Sequence, residues 1–294
     1  MAEQMKKLLL ILGVVAGWVT VSPAQLTLEV ALEQKQYLPS ESIPTDVKIT
    51  NRSGQPMHLG DEVNWLTFSV ESEDGFVVFK NAEVPVVGPF DLESSQMATK
   101  HVDLAPYFTL NKAGRYHVTA TLRIKDWSAQ ETSEPTFFDV VNGVNIWSQE
   151  FGVPMPPDAT NRVPELRKYT LIKANYLRTQ LRLYAQVSDP SDARVYRVVS
   201  VGPLVSFSQP EAQVDRLGDL HVLYQSGASI FSYTVMDANG EFVRREIFDY
   251  VNSRPRLQVN TDGELTVAGG VRRLKPTEMP RVKMPNEVME PARH

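Results

Sequence analysis

The chain has no cysteine. That excludes disulfides, thiol nucleophiles, iron–sulfur clusters, thiolate zinc sites and a lipid-acylated cysteine. Histidine is scarce: His58, His101, His117, His221 and His294 are the only five. None has another histidine three or four residues away, so the ligand spacing of a zinc site is missing. There is no excess of basic charge. Thirty Lys and Arg stand against thirty-five Asp and Glu, a net charge of −5, which argues against general nucleic-acid binding. Motifs of phosphate loops, Gly-x-Ser-x-Gly turns and calcium loops are absent, and no cofactor or metal is expected. Gly269-Gly270-Val271-Arg272-Arg273 opens no helix, Asp189-Pro190-Ser191-Asp192 is too sparse for calcium, and Glu71, Glu73 and Asp74 flank a turn.

No apolar run reaches the roughly 20 residues that span a bilayer. The longest, Leu8–Val19, has 12 residues and follows Lys6 and Lys7. Ser22 and Ala24 supply a small-x-small end, so residues 1–24 read as a signal peptide cleaved after Ala24. An uncleaved anchor, or a buried strand of the domain, is the alternative. Loss of Glu3, Lys6 and Lys7 makes the remainder more acidic by one unit. An exported chain without cysteine must be stabilised by apolar cores alone, which fits a bacterial periplasm or the extracellular space. The expected location is therefore periplasmic or extracellular.

What is present is strand-like. Leu26, Leu28, Val30 and Leu32 alternate with Thr27, Glu29, Ala31 and Glu33, putting one face on a core and the other in water. The period recurs at Val47 and Ile49, at Leu66, Phe68 and Val70, and across Met97–Leu104, Arg115–Ile124 and Thr136–Val141. Asp74-Gly75 suggests a hairpin with Phe76–Phe79 as its return strand. Asn51-Arg52-Ser53-Gly54 reads as a turn despite matching a glycosylation triplet. About seven short strands predict a two-sheet sandwich over 25–142. The stretch Leu110-Asn111-Lys112-Ala113-Gly114-Arg115-Tyr116-His117-Val118 resembles the entry to strand F of immunoglobulin-like domains. Tyr37-Leu38-Pro39-Ser40-Glu41 through Val47-Lys48-Ile49-Thr50-Asn51 is similar to the early strands of bacterial members. The resemblance implies that Tyr116 folds its hydroxyl onto the preceding turn, and it implies little about activity.

After an apolar, proline-containing connector at 143–164, the chain repeats itself. Pro210-Glu211-Ala212-Gln213-Val214-Asp215 lies 45 residues before Pro255-Arg256-Leu257-Gln258-Val259-Asn260, and Gly218, Leu220 and Val222 match Gly263, Leu265 and Val267. The spacing resembles that of propeller blades. It predicts an all-β meander of about two and a half propeller-like repeats over 165–274, too few to close a ring. Such a meander folds back as an incomplete barrel or second sandwich, packs on the first domain, or completes itself by self-association; packing on the first domain is the favoured reading. Residues 165–178 fit a strand better than a helix. Four prolines predict a loosely ordered tail at 275–294.

Two residue sets stand out as candidate binding groups. Residues 241–283 hold nine basic and six acidic residues. Within them Arg254, Arg256, Arg272 and Arg273 are placed to hold an anionic ligand or partner if the last strands pair, or else to pair with the protein's own acids. Trp65, Trp127 and Trp147 fall near strand ends, where tryptophan stacks on sugars or lids a core. No catalytic residue is assigned. The function expected is that of an exported, non-enzymatic binding or scaffolding protein of the bacterial envelope, with a protein or envelope-polymer partner. A polymer-acting hydrolase or lyase and a protease-inhibitor-like module are the alternatives.

Overall fold

Alternation of apolar and polar residues becomes strand almost throughout the computed structural model, which describes residues 26–124, 129–154 and 165–274. The leader, Trp127 and the tail lie outside those residues. Ten strands come first: β1 (Leu26–Leu32), β2 (Gln36–Tyr37), β3 (Pro44–Asn51), β4 (Met57–Leu59), β5 (Leu66–Ser72), β6 (Phe90–Leu92), β7 (Met97–Asp103), β8 (Gly114–Ile124), β9 (Ala129–Thr132) and β10 (Thr136–Val140). A second run follows: β11 (Val144–Gly152), β12 (Leu166–Tyr176), β13 (Gln180–Ser188), β14 (Val195–Pro203), β15 (Glu211–Val214), β16 (Leu220–Gln225), β17 (Ile230–Met236), β18 (Phe242–Asp249), β19 (Arg256–Val259), β20 (Leu265–Ala268) and β21 (Val271–Arg272). A single 3-10 turn at Ala105–Tyr107 is the one helical element among the described residues, and the class is all-β. No helix among them is long and apolar enough to cross a membrane.

The chain divides into two compact units. The first takes residues up to 34, 43–109 and 115–138; the second takes 35–42, 110–114 and 139 onward. Two short segments inside the expected sandwich thus belong to the second unit. In the first, β1, β3 and β7 form one antiparallel sheet, with Leu28 opposite Ile49 and Val30 opposite Val47. Strands β5 and β8 pair antiparallel, with Phe68 opposite Ala120 and Val70 opposite Val118. The apolar face of β8 is sealed: Tyr116, Val118, Ala120 and Leu122 are at most 1% exposed. Tyr116 stacks on Phe138 and meets Phe76 edge-on. Phe76–Phe79 form no return strand. Phe76 is spent on Tyr116 and Phe79 is held by its carbonyl, which accepts from the Thr109 amide, while β8 takes the partner position beside β5. Asn51 is fully buried. Its amide donates to the carbonyls of Gln55 and Leu92, and its Oδ1 accepts from Ser53, so the glycosylation triplet is a structural turn.

In the second unit β11–β14 form a four-stranded antiparallel meander in the order β11-β12-β13-β14. Val144–Gly152 was expected within a connector and is instead the outer strand of this sheet, because its backbone pairs with β12 along most of its length. Strands β15 to β18 form a second meander, with the two-residue β21 added beside β18. β19 and β20 are a separate hairpin.

A buried cluster joins the two meanders. It contains Tyr169, Leu171, Leu183, Ala185 and Val187 from one and Leu220, Val222, Tyr224 and Met236 from the other. The opposite face of the second meander packs Leu223, Phe231, Tyr233, Val235 and Phe248 against Leu257 and Val267 of the hairpin. The opposite face of the first packs Ile172, Ala174, Tyr184 and Val198 against Leu38 and Val141.

The turns share one construction. Asp215-Arg216-Leu217-Gly218-Asp219, Asp237-Ala238-Asn239-Gly240-Glu241 and Asn260-Thr261-Asp262-Gly263-Glu264 each place glycine at φ near +80°, where a Cβ is disfavoured. In each, the Oδ1 of the first residue accepts from the amides two and four residues on. The 45-residue echo between 215 and 260 is therefore a repeat of turn chemistry as well as of strand pattern.

Candidate functional site

A cavity of about 400 Å³ opens in the second unit. It lies within the size range of small-ligand pockets. Its walls come from β11, β12 and the connection between β14 and β15. On β11 the register against β12 slips between Asn145 and Trp147: Asn145 faces Ile172 and Trp147 faces Leu171. Ile146 is the extra residue. A bulge of this kind redirects side chains, and here both Ile146 and Trp147 line the cavity. On β12, Leu171 and Lys173 share one face by alternation, and both line it.

The remaining wall is a tight turn, in which the Ser208 amide donates to the Val205 carbonyl at 3.0 Å. It presents Phe207, 83% exposed, at the rim and Ser208, 9% exposed, beneath it. The Ser208 hydroxyl is buried with no hydrogen-bond partner. The Lys173 ammonium makes no ion pair with any described residue. Lys173 is the only ionisable group among the lining residues, which otherwise comprise apolar, aromatic and neutral polar side chains.

A second, more open groove of about 690 Å³ runs past Gln36, Asp139, Asn142, Asn175 and Arg178. Its principal amide is already committed. Gln36 Nε2 donates to the Asn175 carbonyl at 2.5 Å, and Gln36 Oε1 accepts from the Leu177 amide at 2.9 Å.

The arginines expected to act together stand on different strands and loops. Arg256 stands on β19, opposite Ala268 of β20, whereas Arg272 stands on β21, opposite Phe248 of β18. The two strands join different sheets, so no ladder carries both. Arg272 reaches Glu246 at 3.5 Å. Arg273 makes a two-point contact with Asp249 at 2.6 and 2.7 Å. The Arg273 guanidinium hydrogen-bonds the Asp249 carboxyl and holds it below the usual carboxylate range. Arg254 lies 5.3 Å from the centre of the Phe231 ring. Thus two of the four answer the protein's own acids.

The tryptophans also separate. Trp65 is 3% exposed, donates its indole N–H to the Val86 carbonyl at 2.8 Å and meets Phe90 edge-on, so it lids the core of the first unit. Trp147 alone among the described members faces a cavity. Trp127 lies outside the described residues.

Each described histidine has a carboxylate beside it: His58 with Asp91, His101 with Asp46, His117 with Glu73, and His221 with Asp215. No cluster of three metal-binding side chains occurs among the described residues. His221 also meets the Tyr233 hydroxyl at 2.7 Å. His221 and Tyr233 are buried, and neither lines either cavity.

No protein-family model and no curated protein matches the chain. Among solved structures, Spo0M, a sporulation control protein from Bacillus subtilis, aligns at 11% identity over 60% of this chain and 89% of that one, with a TM-score of 0.29. A likeness that low carries no argument about fold or activity.

Proposed function

We propose that the protein is an exported, non-enzymatic binding protein of the bacterial envelope that holds a ligand in the cavity beneath Trp147. The observation that carries this reading is the composition of the lining. Aromatic and aliphatic walls surround one ammonium, and no second ionisable group stands there to complete an acid–base pair. A hydrolase or lyase using this cavity would need such a pair. The leader-like segment at 1–24 and the lack of cysteine support export.

The architecture is read as an immunoglobulin-like sandwich followed by propeller-like sheets. Burial of Tyr116 at the entry to β8 supports the first part. The two successive antiparallel meanders, the partial β19–β20 unit and the three matching turns support the second.

The test is retention. Purified protein is equilibrated with a small-molecule extract of the envelope fraction, desalted and weighed intact under native conditions. A retained mass that disappears in Trp147→Ala supports the reading. Identical spectra for both proteins overturn it. Export is tested separately by fractionating cells that express the tagged full chain.

The connection between β5 and β6 favours a protease-inhibitor-like module as a second reading. Val77, Phe79 and Val87 stand 74%, 66% and 83% exposed on it, although it is anchored through the Phe79 and Val86 carbonyls. Loss of inhibition in a panel of extracellular proteases on Phe79→Ser would support this. No inhibition by the parent protein removes it.

A further inference from the structure

Strand β12 carries Tyr169, Leu171 and Lys173 on one face. The first two are fully buried in the cluster between the meanders. Lys173 is the next position inward by register, and the strand offers it a cavity instead of a packed neighbour. Lys173 is partly exposed, and its ammonium, unpaired with any acid among the described residues, stands beside an apolar wall. Next to it the Ser208 hydroxyl has surrendered water without gaining a partner. The buried hydroxyl costs stability, and an incoming anion would satisfy it while pairing with the ammonium.

The walls narrow the choice of anion. One ammonium neutralises one unit of charge, so a dianionic phosphate would leave charge unpaired against Trp147, Leu171 and Leu204. Lysine acts as a point charge, without the two-point fork that arginine offers to phosphate or to a paired carboxylate. A cationic ligand is repelled. The aromatic faces of Trp147 and Phe207 suit a planar or compact apolar body. Phe207 stands 83% exposed at the tip of a short turn, where it is free to close over such a body.

Resting on the binding reading above, we infer that the cavity takes a small amphipathic monocarboxylate. Its apolar body lies between Trp147, Leu204 and Phe207, and its carboxylate meets the Lys173 ammonium and a donated hydrogen bond from the rotated Ser208 hydroxyl.

The experiment is calorimetric titration of the purified chain with three matched probes: indolepropionate, its primary amide, and the amine of the same length. The carboxylate is expected to bind at least about tenfold more tightly than the amide, and the amine not at all. Lys173→Met should lower carboxylate affinity to that of the amide while leaving the amide unchanged. Lys173→Arg should restore most of the difference. Ser208→Ala should cost the carboxylate about threefold. Near-ultraviolet circular dichroism of each variant confirms an intact fold.

Equal affinity for carboxylate and amide, no affinity for either, or full affinity in Lys173→Met overturns the inference. A mass retained from envelope extract and lost in Trp147→Ala, alongside failure of the probe series, removes the carboxylate assignment and leaves the binding reading standing. Failure of both removes both.

Discussion

The Tyr224 hydroxyl occupies the place where a side chain on Gly202 would project. It donates to the carbonyl of the adjoining residue, Val201, at 3.0 Å. Gly202 sits where β14 slips register against β13, with Leu183 opposite Gly202 and Tyr184 opposite Ser200. The slip brings the chain to Leu204 and the cavity turn. Gly202→Ala is therefore expected to destabilise by about 1–3 kcal/mol through overpacking. Chemical denaturation measures it, and the double variant with Tyr224→Phe should recover part of the loss.

The repeated turns make a paired prediction. Asp237 Oδ1 accepts from the Asn239 and Glu241 amides at 2.9 and 2.8 Å. Asp237→Ala should cost about 0.5–1.5 kcal/mol. Asp237→Asn should be close to neutral, because Asn260 already makes the same two contacts in its own turn. Thermal melts of the two variants separate the outcomes.

Asp219 gives a pH dependence with a definite sign. Burial raises its carboxyl above the usual value, with the Asp215 and Asp237 charges adding to the rise and His221 opposing it. A group whose folded value exceeds its unfolded one contributes full stability below the unfolded value of about 4. That contribution is lost as pH rises through the folded value. Asp219→Asn should thus raise the melting temperature at pH 7, with the gain shrinking toward zero near pH 4. A gain of equal size at both pH values contradicts the assignment.

Trp65 and Trp147 should behave oppositely. Trp65→Ala removes a buried ring and its bond to Val86, and is expected to cost about 3–5 kcal/mol. Trp147→Ala should leave unfolding much less affected, since that side chain is only partly buried, and should abolish ligand retention.

Much of the strand pattern was legible because half-buried strands alternate. The alternation of Leu26–Leu32 and Arg115–Ile124 marked β1 and β8, and the strand reading of 165–178 holds β12. Asp74-Gly75 misled because a turn dipeptide does not specify which strand answers it; β8 won the edge of β5. Val144–Gly152 was masked by its neighbouring prolines. The allocation of 35–42 and 110–114 to the second unit depends on contacts far apart in the chain, which no local period encodes. Proximity in sequence did not predict which sheet each arginine-bearing strand would join, nor that Arg272 and Arg273 would meet Glu246 and Asp249. The cavity was invisible for a related reason. A one-residue bulge at Ile146 and a turn at Val205–Ser208 build it, and neither leaves a periodic signature. One signal was available: Lys173 continues the inward series of Tyr169 and Leu171, and a charge in that register marks a place where the core is not closed.

Amide hydrogen exchange, with and without envelope extract, tests the central claim most directly. Slower exchange confined to residues 144–148, 171–173 and 204–210 is the predicted result. Unchanged exchange in those segments, or protection confined to the groove of Asp139 and Arg178 or to strand β18, would contradict it.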